Sequence, residues 1–401
     1  LQDRDPVVSP LEVDPREVDL DPVALEALDS LLLAAIADSA SPGAALAVGR
    51  RGKLVRLRGY GRLDWDSSAP PATPSSLWDM ASVTKVSATT SAAMILAEAG
   101  RLDLDATVVS YLPWWSAGDP GKEDVLVRHL LLHRAGLPPF RRFFLEMEGE
   151  EAYKNAIADL PLDYTPGDST VYSDIGLMTL AFIIEELTGT DLNSFLQGRV
   201  FGPLGMQDTG FRPDPSLLDR IAPTEVDTTY RFAHTHGVVH DENAYAIGGI
   251  AGHAGLFSSA RDMAVLAQTL LNGGSIPACS GTPGSGVPCS SPRPGPVRIA
   301  APTSVELFTR RHDTTSSRAL GWDTPGPRSS SGDYFSDRAF GHTGFTGTSI
   351  WVDPELELFV VLLTSRTNPT RDNSKHVALR RAVHDAVAQA ITDRTVPHRN
   401  R

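Results

Sequence analysis

The chain has 401 residues, 41% of them hydrophobic and 21% charged, with a formal net charge of −13. That length supports the substantial core of one large or two intertwined domains, which excludes disorder throughout. The acidic balance and the lack of any basic run count against a nucleic acid or an anionic membrane as partner, since either needs a basic face to displace counterions, and the longest apolar stretches, such as 358–364, are far too short to span a bilayer.

The sequence opens at Leu1, with no charged and apolar leader ahead of it. This reads as a trimmed chain, so an exported protein, periplasmic or secreted, with its signal peptide removed is the expectation. Residues 1–20 are acidic, contain proline and lack a period, which predicts an arm lying on the surface. Residues 21–40 open on Asp21-Pro22 and repeat apolar residues every three or four positions, the pattern of a capped amphipathic helix. Two alternating apolar runs flank Arg50-Arg51-Gly52 in 43–63 and predict a hairpin. From about 82 to 235 the pattern is helical with loops. The Gly/Pro/Ser-rich stretch 275–300 predicts a surface loop insertion; its Cys279 and Cys289 either form a disulfide or stay as two thiols, and the sequence leaves both open. Residues 340–365 alternate, turn at Asp353-Pro354-Glu355 and run into a continuous apolar strand, and a last helix is expected over about 373–392. The first and last strands belong to one sheet on this reading, giving an α/β sheet domain from 1–75 and 240–401 and a mainly helical domain over 76–239.

Serine is a weak nucleophile until a base lies within hydrogen-bond reach. Ser82 stands three residues before Lys85, so on a helix both side chains leave from one face. Chance supplies about 0.4 S-x-x-K pairs in a chain of this composition, and with five lysines against 31 arginines this is the one such pair present. A lysine serves as the base only where burial or a neighbouring positive charge lowers its pKa; the small or apolar flanks Val83, Val86 and Ala88 fit a buried lysine. Alone, the pair fits a capped helix start with a surface lysine equally well. Two later segments add to it: Tyr172-Ser173-Asp174 at the head of another helix, and His342-Thr343-Gly344 on a strand. A tyrosine beside an ammonium is a second candidate base, or the acid for a leaving group, and a strand glycine lets the backbone approach a bound substrate.

Together, Ser82-Val83-Thr84-Lys85, Tyr172-Ser173-Asp174 and His342-Thr343-Gly344 resemble the three motifs of the serine β-lactamase and penicillin-binding-protein superfamily, in the branch that holds class C β-lactamases, family VIII carboxylesterases and D-amino-acid peptidases or carboxypeptidases. Supporting stretches run along nearly the whole chain, among them VRHLLLHRAGLP, FGPLGMQDT and GGIAGHAGLFSSARDMA. The resemblance implies an α+β fold of the β-lactamase/transpeptidase type, an antiparallel sheet flanked by helices with an inserted mainly helical domain. It implies a serine hydrolase that works through an acyl-enzyme, with no cofactor and no metal. Carried over by position, Ser82 is the nucleophile, Lys85 its base, and Tyr172 the proton shuttle toward the leaving group and the deacylating water. The oxyanion hole falls to the backbone N–H groups of Ser82 and Phe345. Substrate contacts fall to Asp174, His342, Thr343 and Gly344, and to Arg366 and Asn368 beyond the last strand.

Two positions depart from the strong β-lactamases. Asp174 stands where class C enzymes carry Asn, and an ionised carboxylate there repels a substrate carboxylate. His342 stands where they carry Lys, and an imidazole grips an anion less firmly than a fixed ammonium. The expected activity is therefore that of an esterase or D-Ala-type peptidase acting on a small ester or cell-wall peptide, with weak β-lactamase activity. A β-lactamase proper, or a penicillin-binding sensor that acylates without turnover, is the alternative. The cluster His234, His236, His240 and Asp241 is dense enough to suggest zinc, but only His236 and His240 share a helical spacing and Gly237 interrupts them, so a metal-free loop is expected. His253 is expected to pack a loop rather than to act in catalysis.

Overall fold

The structure is a computed structural model and describes residues 5–399. Six strands form one antiparallel sheet in the spatial order Val7–Val8, Lys53–Gly61, Gly43–Arg50, Leu358–Thr364, Ser349–Asp353, Phe340–Thr343. The centre of the sheet is where the two ends of the chain meet: Leu358–Thr364 pairs with Gly43–Arg50 in a register running from Leu358 opposite Arg50 to Thr364 opposite Ala44. Both strands are buried along their whole length, which is why Leu358–Thr364 reads as a continuous apolar run rather than as alternation.

One sheet face is covered by helices Pro22–Ala37 and His376–Gln389, which pack on Leu46, Val48, Val360 and Leu362. The first of these starts where its sequence signals it, with the Asp21 side chain accepting from Val23 N and proline at the first helical position. The other face packs on helix Ala260–Leu271 and on the long helical block between the two halves of the sheet. Within that block, helix Asp174–Thr188 starts at Ser173, whose hydroxyl accepts from Gly176 N, and ends at Gly189 in the left-handed region. The fold is of the β-lactamase/transpeptidase type, with mixed helices around an antiparallel sheet. Among the described residues no helix is long and apolar enough to cross a membrane.

Three segments differ from the sequence expectation. The N-terminal arm does not simply lie on the surface: Val7–Val8 pairs with the strand Lys53–Gly61, and Leu11, Val18 and Leu20 are buried. Its few apolar residues are too widely spaced to show a period, yet they cover the edge of the sheet; residues 1–4 of the arm lie outside the described residues. The run 340–365 is three strands rather than two, because a loop at 344–348 interrupts the first. The cysteine loop is a docked element: Cys279 and Cys289 form a disulfide, and Gly284 N and Gly286 N donate to Pro10 O and Leu11 O while Leu54 N donates to Gly286 O.

Candidate active site

Ser82 lies in a short 3-10 turn, Ala81–Val83, that runs into a π-helical turn, Lys85–Thr90, and then an α-helix, Ser91–Glu98. A π turn inside a helix start is a strained arrangement that recurs at functional sites. Ala81 adds to it with φ +45°, a conformation uncommon for a residue with a Cβ. The turn is held by the buried Asp79, whose Oδ1 accepts from Ala81 N at 2.8 Å and whose Oδ2 accepts from His240 N at 2.6 Å.

Lys85 is fully buried and its ammonium donates to Ser82 Oγ at 2.9 Å and to His253 O at 3.0 Å. Asp174 Oδ1 stands 2.7 Å from the same nitrogen as an ion pair. Burial works against the charge, but the Asp174 carboxylate, with Tyr172, outweighs it and holds Lys85 above the ordinary lysine range. This corrects the expectation in two ways: Lys85 is not lowered toward a neutral amine, and Asp174 serves as its counterion rather than as a bare carboxylate facing substrate. The loop 248–255 delivers the His253 carbonyl, and Gly252 permits its close approach, since a Cβ there would lie 2.0 Å from Leu177 O. The His253 ring is buried and bonds Asp241 Oδ1 through Nε2 at 2.8 Å. Despite burial, His253 keeps the Asp241 carboxyl well below the usual carboxylate range.

Tyr172 lies with Lys85 Nζ 4.9 Å and the Arg318 guanidinium 5.0 Å from its ring centre. Its ring also packs on His133 at 4.6 Å and on His342 at 5.9 Å. His133, supplied by the VRHLLLHRAGLP stretch, accepts from Ser173 N at 3.1 Å and so fixes the backbone just after Tyr172. Burial, with Arg318 beside it, pushes His342 well below the ordinary histidine range, so this imidazole is neutral. It is buried against Tyr172 and Arg318 and does not line the cavity at Ser82, which leaves it supporting the site rather than gripping substrate. Thr343 follows it on the same strand, half-buried.

Beyond that strand, Gly344 packs directly on the nucleophile turn, where an added Cβ would lie 2.5 Å from Met80 O and 2.1 Å from Thr348 Oγ1. Thr346 and Thr348 hydroxyls donate to Asp79 O and Met80 O, tying the loop to the same turn. Phe345 therefore sits against Ser82, and among the described residues its N–H has no acceptor. Two buried arginines hold this loop from behind. Arg366 Nε donates to Phe345 O at 2.6 Å, its guanidinium stacks 4.1 Å from the Phe345 ring, and its Nη1 donates to Arg371 O and Asn373 O. Arg380 donates to Gly344 O and Thr348 O. The expected substrate contact by Arg366 does not hold, because its Nε and Nη1 are committed to backbone carbonyls and it does not line the cavity at Ser82. Nor does that of Asn368, which is buried, bonds Asp64 through Nδ2 at 3.0 Å and lines a separate cavity beside Trp65.

Ser82 opens on a cavity of about 330 Å³ whose walls include Phe140, Tyr172, Asp174 and Phe345. His240 and Asp241, from the stretch considered for zinc, also line it, together with Glu242 and Arg371. His234 lies exposed in a short hairpin and His236 bonds the carbonyls of Leu218 and Ile221, so the three histidines do not converge. His240 instead bonds Glu225 Oε2 through Nε2 at 3.0 Å and stacks on Phe345 at 5.6 Å between ring centres. Glu225 also accepts from Arg371, which reaches Glu242 as well, and the hydrogen bonds from His240 and Arg371 outweigh burial and hold Glu225 down to about 2. Sequence reading missed this network because its members come from three separate loops.

The sheet order and this constellation define a hydrolase of the β-lactamase type. The family model described as beta-lactamase matches residues 28–385, and the chain belongs to that family. Among individual proteins, it is 32% identical over 361 residues to an N-acetylmuramyl-L-alanine amidase of Bacillus subtilis (81% of this chain, 77% of the relative). It is 31% identical over 397 residues to a Salmonella typhi protein provisionally named a D-alanyl-D-alanine carboxypeptidase (90% of this chain, 87% of the relative). Among solved structures, a family VIII carboxylesterase superposes with a TM-score of 0.68 at 18% identity, covering 92% of this chain and 98% of its own. EstCE1, a hydrolase with promiscuous acyltransferase activity, gives 0.70 at 22% identity, covering 91% and 98%.

Proposed function

We propose that this chain hydrolyses an amide or ester of a cell-wall type peptide through an acyl-enzyme on Ser82, and that β-lactams are poor substrates. The observation that carries the reading is the Ser82 Oγ to Lys85 Nζ contact of 2.9 Å at the mouth of a cavity. In the fraction of molecules whose Lys85 has lost its ammonium proton, the neutral amine takes the Oγ proton as Oγ attacks the acyl carbon, and that proton passes by way of Tyr172 to the leaving group as its bond breaks. The charge that develops on the carbonyl oxygen meets the N–H groups of Ser82 and Phe345, donors fixed before the reaction and therefore effective in the transition state. The buried cations Arg366 and Arg380 behind the loop add a positive potential at the same place.

The substrate class follows from the wall and from the relatives. Asp174, Asp241 and Glu242 line the cavity already paired with Lys85, His253 and Arg371, and Arg371, which also lines it, is committed to Glu225 and Glu242, so the wall offers little to grip the carboxylate of a β-lactam. The relatives above 30% identity carry names of cell-wall amidase and peptidase activities. Intact mass spectrometry tests the reading: a serine-reactive phosphonate should add once to the wild type and not at all to Ser82→Ala. An N-acetylmuramyl-L-alanine conjugate and p-nitrophenyl butyrate should be turned over above nitrocefin, and a D-Ala-D-Ala peptide, whose carboxylate also stands next to the scissile amide, should rank below both. Labelling that survives in Ser82→Ala, or nitrocefin as the best substrate, would overturn it.

A further inference from the structure

Completing turnover requires a base for water, and the groups around Ser82 narrow the choice. Lys85, paired with Asp174 and donating to the His253 carbonyl, rests as an ammonium, with no lone pair for water. Asp241 is hydrogen-bonded to His253 and Glu242 is paired with Arg371, and a carboxylate already held by a donor is a weaker base. His240 differs. Its Nε2 lies 3.0 Å from Glu225 Oε2, and Glu225 also accepts from Arg371. An ionised carboxylate has no proton to give, so Nε2 carries the hydrogen and Nδ1 is left with its lone pair. Among the described residues Nδ1 has no hydrogen-bond partner, while the ring lines the cavity with Ser82 and Tyr172. Asp79 sets the position of both segments, one carboxylate oxygen holding Ala81 N and the other His240 N. The ring is further fixed by stacking on Phe345, the residue whose N–H faces the acyl oxygen.

We propose that His240, oriented by Glu225, is the general base for deacylation, an inference that rests on the acyl-enzyme reading. Water adds to the acyl carbon of the Ser82 ester while its proton passes to His240 Nδ1. As the tetrahedral adduct collapses, the C–Oγ bond breaks and the imidazolium gives its proton to Oγ. Ser82 is restored as a hydroxyl and the acyl group leaves as an acid. A base that takes the proton of water in this way contributes on the order of a hundredfold or more.

Stopped-flow hydrolysis of p-nitrophenyl butyrate separates the two steps. In His240→Ala the nitrophenol burst should persist while the steady rate falls about a hundredfold, and intact mass should show a butyryl adduct on Ser82. Added imidazole should restore the steady rate and discharge the adduct, a rescue that a packing defect would not give. Glu225→Gln guards against misfolding of the first variant: it keeps the size of the side chain, and the steady rate should fall about tenfold with the burst intact. A burst that falls in step with the steady rate, an adduct that imidazole does not discharge, or an unchanged Glu225→Gln overturns the assignment. An undiminished steady rate in His240→Ala overturns it too and gives water to Tyr172. A wild type with neither burst nor Ser82 labelling overturns the acyl-enzyme reading itself, and this inference with it.

Discussion

Lys85 Nζ and Asp174 Oδ1 stand 2.7 Å apart, and that contact reverses the electrostatics the serine-lysine motif suggests by itself. Burial favours a neutral lysine, whereas the carboxylate keeps it charged. Replacing Asp174 by Asn removes the raising influence and leaves burial, so the Lys85 pKa falls. If neutral Lys85 takes the Ser82 proton, phosphonate labelling rises with pH through the Lys85 pKa, and in Asp174→Asn this rise moves to lower pH. At pH 7 the variant should be labelled faster, by about tenfold per pKa unit removed. Slower labelling at every pH would mean that Lys85 works as a charged donor instead.

Gly344 separates the 344–348 loop from the Ala81–Val83 turn by less than a methyl group allows. Gly344→Ala should displace the Phe345 N–H and lower kcat on p-nitrophenyl butyrate about a hundredfold, with KM changed by less than about threefold, the pattern of an interaction made mainly in the transition state. A loss confined to KM would remove Phe345 from the oxyanion role.

Asp262, buried in the first turn of Ala260–Leu271, is pushed up to about 6 by its burial and accepts from Asp208 N and Thr209 Oγ1. Its folded pKa exceeds the unfolded value of about 3.9, so the folded state binds this proton more tightly. Its contribution is fully present below about pH 4 and is lost as pH rises through about 6, a cost on the order of 3 kcal/mol at neutral pH. Asp262→Asn keeps an acceptor and removes the titration. Its urea midpoint should exceed the wild-type midpoint at pH 7.5, with the gap closing at pH 4.5. Equal gaps at both pH values would refute the shift.

The disulfide Cys279–Cys289 closes a loop over a sequence separation of 10 that is docked on the N-terminal arm. Replacing both cysteines by serine should cost about 2–3 kcal/mol on the loop-entropy account. Ester turnover should stay as it is, because the loop does not line the cavity at Ser82. A parallel loss of turnover at temperatures well below unfolding would show coupling between loop and site.

Since His234 lies exposed while His236 and His240 bond different partners, prolonged EDTA treatment should leave turnover unaltered. Loss on chelation with recovery in zinc would require a site not described above.

The catalytic motifs were legible because their spacing is local: Ser82 and Lys85 meet within one turn, and Tyr172-Ser173-Asp174 opens a helix. The charge of Lys85 was not, since it depends on Asp174, a residue brought to it only by tertiary packing. Arg366 and Asn368 follow the last strand, where sequence position suggests substrate. Which way a side chain points after a strand is decided by the carbonyls within reach, and here Phe345 O claims Arg366. The histidine-rich stretch drew attention for the wrong chemistry. Glu225, the residue that gives His240 its orientation, sits fifteen positions earlier behind a hairpin, and no short pattern links the two. Burial of the N-terminal arm left no trace either, because three scattered apolar residues set no period.

The pairing of Gly43–Arg50 with Leu358–Thr364 has a consequence for biosynthesis. A ribosome delivers the first of these strands early and its neighbour close to the end, so through most of translation a mainly apolar strand has one unsatisfied edge. No stable sheet centre forms until the C-terminal segment emerges, and premature termination before it leaves a chain that carries Ser82 and Lys85 but cannot fold around them. The nascent polypeptide is thus an aggregation-prone client for holding chaperones until its last strands are made.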